Sequence, residues 1–474
     1  MFQDNILLLT DSYKQSHYKQ YPPNTTEIYS HFESRGGEFP ATVFFGLQYF
    51  LKQYLSGIVV TEEKIKEAEE ICKQHFFGND NIFNRSGWEY ILKNHGGILP
   101  LEIKAVPEGS KIPVHNILMS VRNTDPNCYW LTNFVESLLV QTWYPTTVAT
   151  ISHEIRQLIW KYLNINGDVS LLPYKLHDFG FRGVSSVESA GIGGAAHLIN
   201  FRGTDTIVSM LVARDYYNAK YPIAESIPAS EHSTITSWMR ENEVKAFENM
   251  LTAYPEGFVA IVSDSFNIYN ACEILLGEIL RDKVLNRNGT VVIRPDSGYP
   301  PEVVVKVLNI LGEKFGYRCN NKGFKVLNDH VRVIQGDGVD FEMINKILTR
   351  VQDNGWSADN IAFGMGGALL QKLNRDTQKF AFKCSAAVID GQLVEVYKEP
   401  ITDKEKNSKP GKLKLVETGS SSPIKYITVK NDVTTENLQD VLQTVFLDGM
   451  LTVDESFETI RTRNRVTANR TIHI

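Results

Sequence analysis

Two glycine clusters in the sequence have the composition expected of phosphate-binding loops. Gly336-Asp337-Gly338 follows the apolar run VRVIQ, and Gly364-Met365-Gly366-Gly367 follows NIAF. Glycine lets backbone N–H groups approach an anion closely, and the positive end of a following helix strengthens the attraction. Tight structural turns also select glycine, so one cluster alone would not distinguish the two roles. Because the clusters occupy consecutive loops, we predict that together they form a phosphate site.

Arginine and aspartate residues stand near the ends of similar apolar runs. Arg182 in FGFRG, Arg294 in IRPDSG and Arg375 in LNRD can each hold a phosphate through two parallel N–H groups. Asp264 in VSDS and Asp296 in RPDSG place one carboxylate after each of two successive runs. Such carboxylates accept hydrogen bonds from sugar hydroxyls or face Mg²⁺, unless they only cap the next helix. These residues are therefore candidates for binding an anionic ligand.

His232 and the glycines near residue 191 give weaker signals. His232 lies beside Glu231 and ahead of a Ser/Thr run that opens an amphipathic helix, and residue type alone favours a structural role. The sequence contains no H-E-x-x-H motif and no set of ligands with zinc-type spacing. GIGGAA, starting at Gly191, matches the dinucleotide pattern G-x-G-x-x-A, but the preceding VSSVESA does not read as the strand that this pattern requires. We interpret these glycines as helix packing or a turn.

From about residue 175, short apolar strands alternate with helices. The strands lie in KLHDFG, FVAIVSDS, TVVIRPDSG, VRVIQGDG and NIAFGMGG, and helix-like stretches such as PEVVVKVLNILGEKF follow them. Nearly continuous apolar strands are typical of parallel sheets that are covered on both faces. The rhythm predicts an α/β fold. The Asp, Arg and Gly residues at the strand ends favour an irregular TIM-like α/β barrel with its active face at the carboxyl ends of the strands, and an open doubly wound sheet is the alternative.

The regions before and after this repeat have a different pattern, which changes near residues 150–175 and again near 380. Helical spacing recurs over residues 47–55 and 131–139, and LEIKAVPEGSKIPVHNILMSV reads as short strands. Thr61, followed by two glutamates, predicts a helix start. After residue 380, KFAFKCSAAVIDGQLVEVYKEP predicts a strand pair that turns at Asp390-Gly391.

Composition excludes several classes of protein. The chain has 474 residues, of which 42% are hydrophobic, so it can bury a large core. Its 49 basic and 55 acidic residues give a net charge of −6, so we expect no attraction to nucleic acid or to an anionic membrane. Five scattered cysteines without a C-x-x-C pair, and an N-terminus that resembles neither a signal nor a transit peptide, predict a cytoplasmic protein. No apolar run approaches the length of a membrane span.

Eight segments occur in the order of one known family, and the similarity to that family runs from Asn5 to about residue 460. They are TDSYKQSHYKQYPPNT, KLHDFGFRGVSS, FRGTDT, EHSTITSW, VSDSFNIYNACE, IRPDSG, VIQGDGVD and AFGMGGALLQKLNRD. This set resembles the nicotinamide phosphoribosyltransferases, a branch of the type II phosphoribosyltransferases. With that resemblance, we expect residues 151–384 to form the barrel and residues 1–150 plus 385–474 to form a second, α+β domain built from both chain termini.

The resemblance implies a homodimeric enzyme that joins nicotinamide to 5-phosphoribosyl 1-pyrophosphate with Mg²⁺ as cofactor, giving nicotinamide mononucleotide and pyrophosphate. It implies that the pyridine ring stacks between Phe179 and Tyr13 of the partner subunit. Asp205 matches the acceptor of the carboxamide N–H₂ group, and Asp11 matches a second residue at this pocket. Because the carboxylate of Asp205 would repel the carboxylate of nicotinate, we expect this residue to discriminate between the two pyridines.

The resemblance also implies a phosphoribosyl site, to which the partner subunit contributes two of the residues, Arg375 and Lys383. The residues matched to this site are Arg182, Asp296, Gly336, Asp337, Gly366, Gly367, Arg375 and Lys383. Arg294 matches a residue between the pyridine and the phosphoribosyl group. His232 matches a histidine that ATP phosphorylates, with Asp264 as its orienting carboxylate. The implied catalytic set is therefore His232, Asp264, Asp296 and Arg294.

Two departures from the family pattern concern lost hydroxyl groups. Ala260 and Ala381 stand where mammalian members carry serine, near the carboxamide and near the phosphate contacts. A hydroxyl that forms a hydrogen bond contributes about 0.5–1.5 kcal/mol, so we expect altered affinity with the same class of reaction. Two other functions are left open: transfer to nicotinate, and a non-catalytic protein that binds pyridine nucleotides or phosphosugars.

Overall fold

The computed structural model describes residues 4–402, 408–418, 425–433 and 439–471. The chain divides into two compact units. We call residues 1–150, 212–219 and 374–474 the terminal unit, and residues 151–211 and 220–373 the central unit.

Helices and strands follow one another along both units. The α-helices are α1 (Leu47–Phe50), α2 (Glu62–His75), α3 (Arg85–His95), α4 (Leu131–Phe134), α5 (Glu136–Leu139), α6 (Trp143–Asn166), α7 (Val187–Leu198), α8 (Val208–Tyr217), α9 (His232–Thr236), α10 (Glu243–Ala253), α11 (Ile268–Asn270), α12 (Arg281–Leu285), α13 (Pro300–Phe315), α14 (Phe341–Asp353), α15 (Gly367–Leu370) and α16 (Phe457–Thr471). The strands are β1 (Thr25–Ser34), β2 (Ala41–Val43), β3 (Leu101–Ala105), β4 (Lys111–Pro113), β5 (Ile117–Asn123), β6 (Leu176–Asp178), β7 (Gly203–Thr204), β8 (Glu256–Val262), β9 (Asn288–Arg294), β10 (Tyr317–Cys319), β11 (Lys325–Leu327), β12 (Val331–Gln335), β13 (Ile361–Met365), β14 (Phe380–Ile389), β15 (Gln392–Glu395), β16 (Leu413–Thr418), β17 (Lys425–Lys430), β18 (Gln443–Leu447) and β19 (Met450–Leu451).

Strands from both ends of the sequence form the main sheet of the terminal unit. Its seven strands lie in the order β15-β14-β1-β5-β3-β18-β19, and the pairs with assigned register are antiparallel. In β3, Leu101, Ile103 and Ala105 are buried while Glu102 and Lys104 are half-buried, which is the alternation that fixes register in a sheet with one buried face. The early strand β1 lies beside the late strand β14, so the two ends of the chain share one core.

Local signals in the terminal unit act as the sequence predicted. The Thr61 hydroxyl accepts a hydrogen bond from the Lys64 N–H at the start of α2, which confirms the predicted cap. Ile389 pairs with Gln392 across the predicted turn, and Asp390 and Gly391 both have positive φ, 50° and 73°. Positive φ at both central residues is characteristic of a type I′ turn, which confirms the predicted hairpin.

A parallel sheet forms the core of the central unit. Its strands lie in the order β7-β6-β13-β12-β9-β8, and every adjacent pair is parallel. All five predicted strands are present, and the α/β prediction is confirmed. Sequence reading missed β7, because its two residues are too few to show a hydrophobic period.

A short segment, residues 225–230, connects to both edges of this sheet. We call it the strap. Glu225 forms a parallel bridge with Gly203 of β7, and Ala229 forms one with Ala260 of β8. The strap is further tied to β8 because the Ser230 N–H donates to the Ala260 carbonyl at 3.0 Å and Ser230 Oγ accepts from the Val262 N–H at 2.8 Å. The strap therefore has two fixed ends.

The glycines near residue 191 lie inside α7 and are buried, as the helix-packing interpretation predicted. A Cβ at Gly194 would lie 2.7 Å from Cβ of Ser209, so the absence of a side chain allows close packing there. Within the described ranges, no helix is both long enough and apolar enough to cross a membrane.

Candidate active site

The predicted residues of the central unit meet at the carboxyl edge of its parallel sheet. Phe179 follows β6, Arg294 ends β9, and Gly336 follows β12. Parallel strands end at the same edge, which is where open α/β sheets and barrels place their ligands. A cavity of about 740 Å³ lies there, and the predicted residues among its lining are Phe179, Arg182, Asp205, Arg294, Asp296, Gly336, Asp337 and Gly366.

The Phe179 ring lies directly against the backbone of Gly364. A Cβ at Gly364 would lie 1.9 Å from the ring, and a Cβ at Gly336 would lie 3.4 Å from it. The Phe179 N–H donates to the Met365 carbonyl at 3.0 Å, which ties the start of this loop to β13. The predicted phosphate role of the second glycine cluster therefore does not extend to Gly364, whose missing side chain makes room for the ring.

Asp205 presents an exposed carboxylate to the cavity, and its position is fixed on two sides. Its N–H donates to the Asp178 carbonyl at 2.9 Å, and its Oδ1 accepts from Ser226 Oγ at 2.5 Å. Sequence reasoning missed Ser226, because a single serine in ESIPAS carries no pattern that distinguishes it from an ordinary loop residue. The strap thus contributes a hydroxyl that is bonded to the Asp205 carboxylate.

His232 lies between two carboxylates. Its Nε2 is 3.0 Å from Asp264 Oδ1, and its Nδ1 is 3.9 Å from Asp296 Oδ2. The imidazole is 46% exposed whereas the Asp264 side chain is only 5% exposed, so the histidine is accessible and the carboxylate is sheltered. The strap sets this geometry, because Ser230 is anchored on β8 two residues before His232. A sheltered carboxylate behind an exposed histidine is suited to orient the ring.

Negative charge accumulates around Asp296. Burial raises the pKa of Asp296, Asp264 and Asp337 raise it further, and Arg294 and His232 act in the opposite direction. Arg294 Nη2 lies 3.8 Å from Asp296 Oδ2, too far for a strong hydrogen bond. The carboxylate is therefore incompletely neutralised, and this oxygen-rich donor set fits a hard divalent cation such as Mg²⁺.

Two arginines at the cavity have unused hydrogen-bonding capacity within the described residues. Arg294 Nε is buried and has no hydrogen-bond acceptor there. Arg182 is exposed, and no hydrogen bond or ion pair involving its side chain is found in the same part of the chain. A buried donor without an acceptor is costly, so an anionic ligand would satisfy Arg294 and pair with Arg182.

The remaining predicted glycines leave open backbone beside these arginines. A Cβ at Gly366 would lie 3.5 Å from the Phe179 carbonyl oxygen, and a Cβ at Gly367 would have no atom within 4 Å. Gly183, the residue after Arg182, lies close to Gly367, since a Cβ at Gly183 would be 3.5 Å from its Cα. The two glycine positions and Arg182 are therefore neighbours in the central unit.

The four other predicted residues lie in the terminal unit. Asp11 accepts a hydrogen bond from Ser137 Oγ at 2.5 Å, and Tyr13 is 58% exposed beside a separate cavity of about 360 Å³. Arg375 is exposed, and Lys383 is half-buried on β14.

A cation group surrounds Lys383. Burial lowers the pKa of Lys383, Lys398, Arg35 and Arg375 lower it further, and Glu136 acts in the opposite direction. We call Arg35, Arg375, Lys383 and Lys398 the cation group. Sequence reasoning missed Arg35 and Lys398, because their distance along the chain hides their proximity. Like-charged side chains at close range favour a bound anion.

One group of potential metal ligands lies elsewhere in the terminal unit: His95, Asp125 and Cys128, with ligand atoms within 4.8 Å of one another. These residues already have structural partners. His95 Nε2 lies 2.8 Å from Asp125 Oδ2, which also accepts from the Tyr90 hydroxyl at 3.1 Å. Burial raises the pKa of Cys128 to about 12, which opposes the thiolate that a metal needs.

Two solved structures share this fold and thereby define its class. The nicotinate-nucleotide pyrophosphorylase from Pyrococcus furiosus aligns with a TM-score of 0.64 at 14% identity, covering 100% of this chain and 98% of its own. Human nicotinic acid phosphoribosyltransferase aligns with a TM-score of 0.55 at 14% identity, covering 98% and 94%. At such low identity the likeness establishes only the fold, an α/β fold of the kind seen in these two enzymes.

The chain belongs to the nicotinate phosphoribosyltransferase family, whose sequence model matches residues 174–450. Residues 5–103 match the nicotinamide phosphoribosyltransferase N-terminal domain. A nicotinamide phosphoribosyltransferase from Xanthomonas campestris pv. campestris is 48% identical over 467 residues, which is 97% of this chain and 98% of the relative. Another from Acinetobacter baylyi is 30% identical over 497 residues, with coverage of 98% and 97%. The resemblance predicted from the sequence is confirmed.

Proposed function

We propose that this chain is a nicotinamide phosphoribosyltransferase, which joins nicotinamide to 5-phosphoribosyl 1-pyrophosphate in NAD biosynthesis. The observation that carries the proposal is that the Asp205 carboxylate faces the same cavity as the Phe179 ring. An aromatic ring offers a flat surface to a pyridine, and a carboxylate accepts hydrogen bonds from a carboxamide while it repels another carboxylate. The match of residues 5–103 to the nicotinamide branch and the names of the two relatives support the same substrate.

The reaction requires positioning more than proton transfer. The pyridine nitrogen carries a lone pair and attacks the anomeric carbon of the ribose directly, so no general base is needed. Phe179 and Asp205 would hold the ring and the carboxamide, and the Ser226 hydroxyl would keep the Asp205 carboxylate in one orientation. Holding two reactants in the attacking geometry removes much of the entropic cost of a bimolecular step.

The phosphoribosyl group would bind on the other side of the cavity. Arg182, with the open backbone at Gly366 and Gly367, would hold the 5′-phosphate. Asp296 and Gly336 would contact the ribose hydroxyls, and Arg294, which lines the same cavity, would lie between these and the pyridine ring. Asp337 also lines the cavity and would belong to this phosphoribosyl set.

Asp296 and its neighbours Asp264 and Asp337 would be the residues of this chain that face Mg²⁺, because three carboxylates close together offer the oxygen ligands that this ion prefers. When bound, the metal would supply charge neutralisation for the pyrophosphate that leaves. The chain's own contribution is to hold Asp296 beside Arg294 and His232, so that the donor oxygens are in place before the substrate arrives.

His232 would be a second nucleophile, phosphorylated by ATP. When Nε2–H donates to Asp264, the lone pair is on Nδ1, on the side of Asp296. Phosphoryl transfer to this nitrogen would couple ATP hydrolysis to substrate binding. We expect His232→Ala to abolish stimulation by ATP and to keep basal transfer. Stimulation that survives in His232→Ala would contradict this role.

At the level of architecture, we propose that the central unit is an irregular TIM-like barrel and that the terminal unit is an α+β domain built from both chain ends. The bridges from the strap to both sheet edges support the barrel, and the shared seven-stranded sheet supports the second domain. We further propose a cytoplasmic homodimer in which Asp11, Tyr13, Arg375 and Lys383 of one subunit complete the site of the other.

One assay tests the proposed function. The protein is incubated with 5-phosphoribosyl 1-pyrophosphate and Mg²⁺, with either nicotinamide or nicotinate, and with or without ATP. Formation of nicotinamide mononucleotide and pyrophosphate is the expected result. Turnover of nicotinate alone would favour the second candidate, nicotinate phosphoribosyl transfer, which the family model over residues 174–450 supports. Binding without release of pyrophosphate would indicate a non-catalytic protein.

A further inference from the structure

Asp178 is a fully buried carboxylate that ends β6 directly before Phe179. Its Oδ1 accepts a hydrogen bond from the Gly180 N–H at 2.7 Å. Its main-chain oxygen accepts one from the Asp205 N–H at 2.9 Å. One residue is therefore bonded both to the turn that carries Phe179 and to the loop that carries Asp205.

The Asp178 carboxylate occupies a closely packed space. A Cβ at Gly180 would lie 3.0 Å from Oδ1, and a Cβ at Gly194 of α7 would lie 3.0 Å from Oδ2. Within the described ranges, neither Oδ2 nor the buried Thr206 Oγ1 has a hydrogen bond of good geometry. The hydroxyls of Thr206 and Thr204 still act to lower the pKa of Asp178. The side chain consequently has little freedom to move.

A charge at this position is unfavourable for stability. Burial raises the pKa of Asp178 to about 6, the N–H of Gly180 acts against this shift, and the nearby Asp205 carboxylate adds to it. Burying a carboxylate with incomplete hydrogen bonding costs free energy of folding. An apolar side chain of similar size would avoid that cost, so the benefit of Asp178 lies in the geometry that it imposes.

We propose that Asp178 is a positioning residue for the pyridine substrate. Its carboxylate is bonded to the turn after Phe179 and faces the hydroxyls of Thr204 and Thr206, and its main-chain oxygen is bonded to Asp205, which lies between these two threonines. This inference rests on the proposed function. Phe179 and Asp205 line the cavity and Asp178 does not, so Asp178 acts through them and not on the substrate. The loss of the Asp178 carboxylate should therefore weaken the binding of nicotinamide more than the binding of the phosphoribosyl donor, because Arg294 and Gly336 lie at the ends of other strands.

The test compares Asp178→Asn with a matched control, Lys175→Met. Asparagine keeps the shape and one acceptor oxygen for Gly180, but its amide N–H₂ group replaces the second acceptor oxygen, so the hydroxyls of Thr204 and Thr206 beside Asp205 lose an acceptor. Lys175 is also buried and directly precedes the first residue of the same strand. Its side-chain nitrogen donates to the main-chain carbonyls of Ala358, Asp359 and Ile361. Lys175→Met therefore removes a buried polar group that does not line the cavity.

We expect Asp178→Asn to raise the KM for nicotinamide about tenfold, since misplaced binding groups commonly cost this much or more. The KM for 5-phosphoribosyl 1-pyrophosphate should stay within about twofold in the same variant, and the preference for nicotinamide over nicotinate should fall. Lys175→Met should lower the melting temperature without changing the ratio of the two KM values. A folded Asp178→Asn enzyme with an unchanged nicotinamide KM, or an equal rise of both KM values in both variants, would overturn the proposal.

Thr204→Val provides a second test if Asp178→Asn does not fold. Thr204 Oγ1 accepts the Thr206 N–H at 3.0 Å, and valine keeps the shape but loses the hydroxyl. We expect about a threefold rise in the nicotinamide KM, as for one lost hydrogen bond, and an unchanged value would overturn the positioning role. The wild-type enzyme in the same assay separates the two hypotheses. An inactive wild type refutes the proposed function, whereas an active wild type with unaffected variants refutes only the role of Asp178.

Discussion

The central and terminal units each gather like charges at a candidate site, but of opposite sign. In the central unit, burial and then the neighbouring Asp264 raise the pKa of Asp296. In the terminal unit, burial and then Lys398 and other cations lower the pKa of Lys383. Each shift means that the charged form is costly without a partner. A divalent cation would relieve the first group, and an anion would relieve the second.

The comparison also shows why net charge was uninformative. A value of −6 is the sum over the whole chain, whereas binding depends on charges within about one Debye length, roughly 8–10 Å. The cation group places four basic side chains together on a chain that is acidic overall. An excess of negative charge is therefore compatible with a strongly anionic substrate.

The largest expected effect comes from removing the central carboxylate. Asp296→Asn keeps the shape but loses the charge that faces His232 and Arg294, and we expect kcat/KM to fall about 100-fold, as when one electrostatic contact to the transition state is lost. The control is Asp329→Asn, which breaks an exposed pair with Arg318 and Arg332 at 2.9 and 3.0 Å. Such surface pairs contribute about 0–1 kcal/mol, so its activity should not change. Equal activity of the two variants would contradict the proposed role of Asp296.

Mixing variant subunits tests whether the terminal unit of one chain completes the active site in the central unit of another chain. Arg182→Ala alters only the central unit, and Tyr13→Ala alters only the terminal unit. If sites are shared, a heterodimer has one site without either change, so random mixing should restore about a quarter of wild-type activity. Each variant alone, refolded in the same way, is the control. Mixtures no more active than the separate variants would contradict shared sites.

The next effect concerns discrimination inside the central cavity. Asp205→Asn keeps an acceptor oxygen but removes the charge that repels nicotinate, so the preference for nicotinamide should fall about tenfold. Ser226→Ala, which removes the hydroxyl bonded to Asp205 at 2.5 Å, should cause a smaller fall in the same direction. The ratio of kcat/KM values for the two pyridines is the measurement. An unchanged ratio in Asp205→Asn would remove this residue from the specificity role.

The smallest effect is a pH dependence of the cation group. Because the pKa of Lys383 is lowered, its ammonium form is lost at a lower pH than for an ordinary lysine. Affinity for the phosphoribosyl donor should weaken as the pH rises through this lowered pKa. Lys383→Arg stays charged, so its KM should stay constant where the wild-type KM rises. Lys430→Arg is the control, since Glu395 raises the pKa of Lys430. The same alkaline rise in Lys383→Arg would contradict the prediction.

Much of the fold was predictable because strong local signals agreed with tertiary packing. The five apolar strands of the central unit, the Thr61 cap and the turn at Asp390-Gly391 each depend on a few adjacent residues. β7 could not be predicted, because two residues show no period and only pairing with β6 makes them a strand. The strap was missed for the same reason, since its bridges to β7 and β8 are long-range contacts.

The candidate site was predictable where its residues end strands and obscure where they lie between strands. Asp264, Arg294 and Asp296 stand next to apolar runs, and this position identified them as candidates. Ser226 gave no such signal, although it is bonded to Asp205. Gly364 was singled out because glycine suits a phosphate loop, but the sequence could not show that the Phe179 ring lies where a side chain at Gly364 would be.

The strap also sets a limit on how the chain length can vary. Glu225 and Ala229 are anchored on opposite edges of the sheet. Ser226, which lies between them, is bonded to Asp205, and Ser230, which follows Ala229, is bonded to β8. One inserted residue would add up to about 3.3–3.6 Å of chain between these anchors. That added length exceeds the length of a hydrogen bond, so it would displace either Asp205 or His232. The number of residues from 225 to 232 is therefore constrained. We expect insertions and deletions in this segment to be far less tolerated than substitutions.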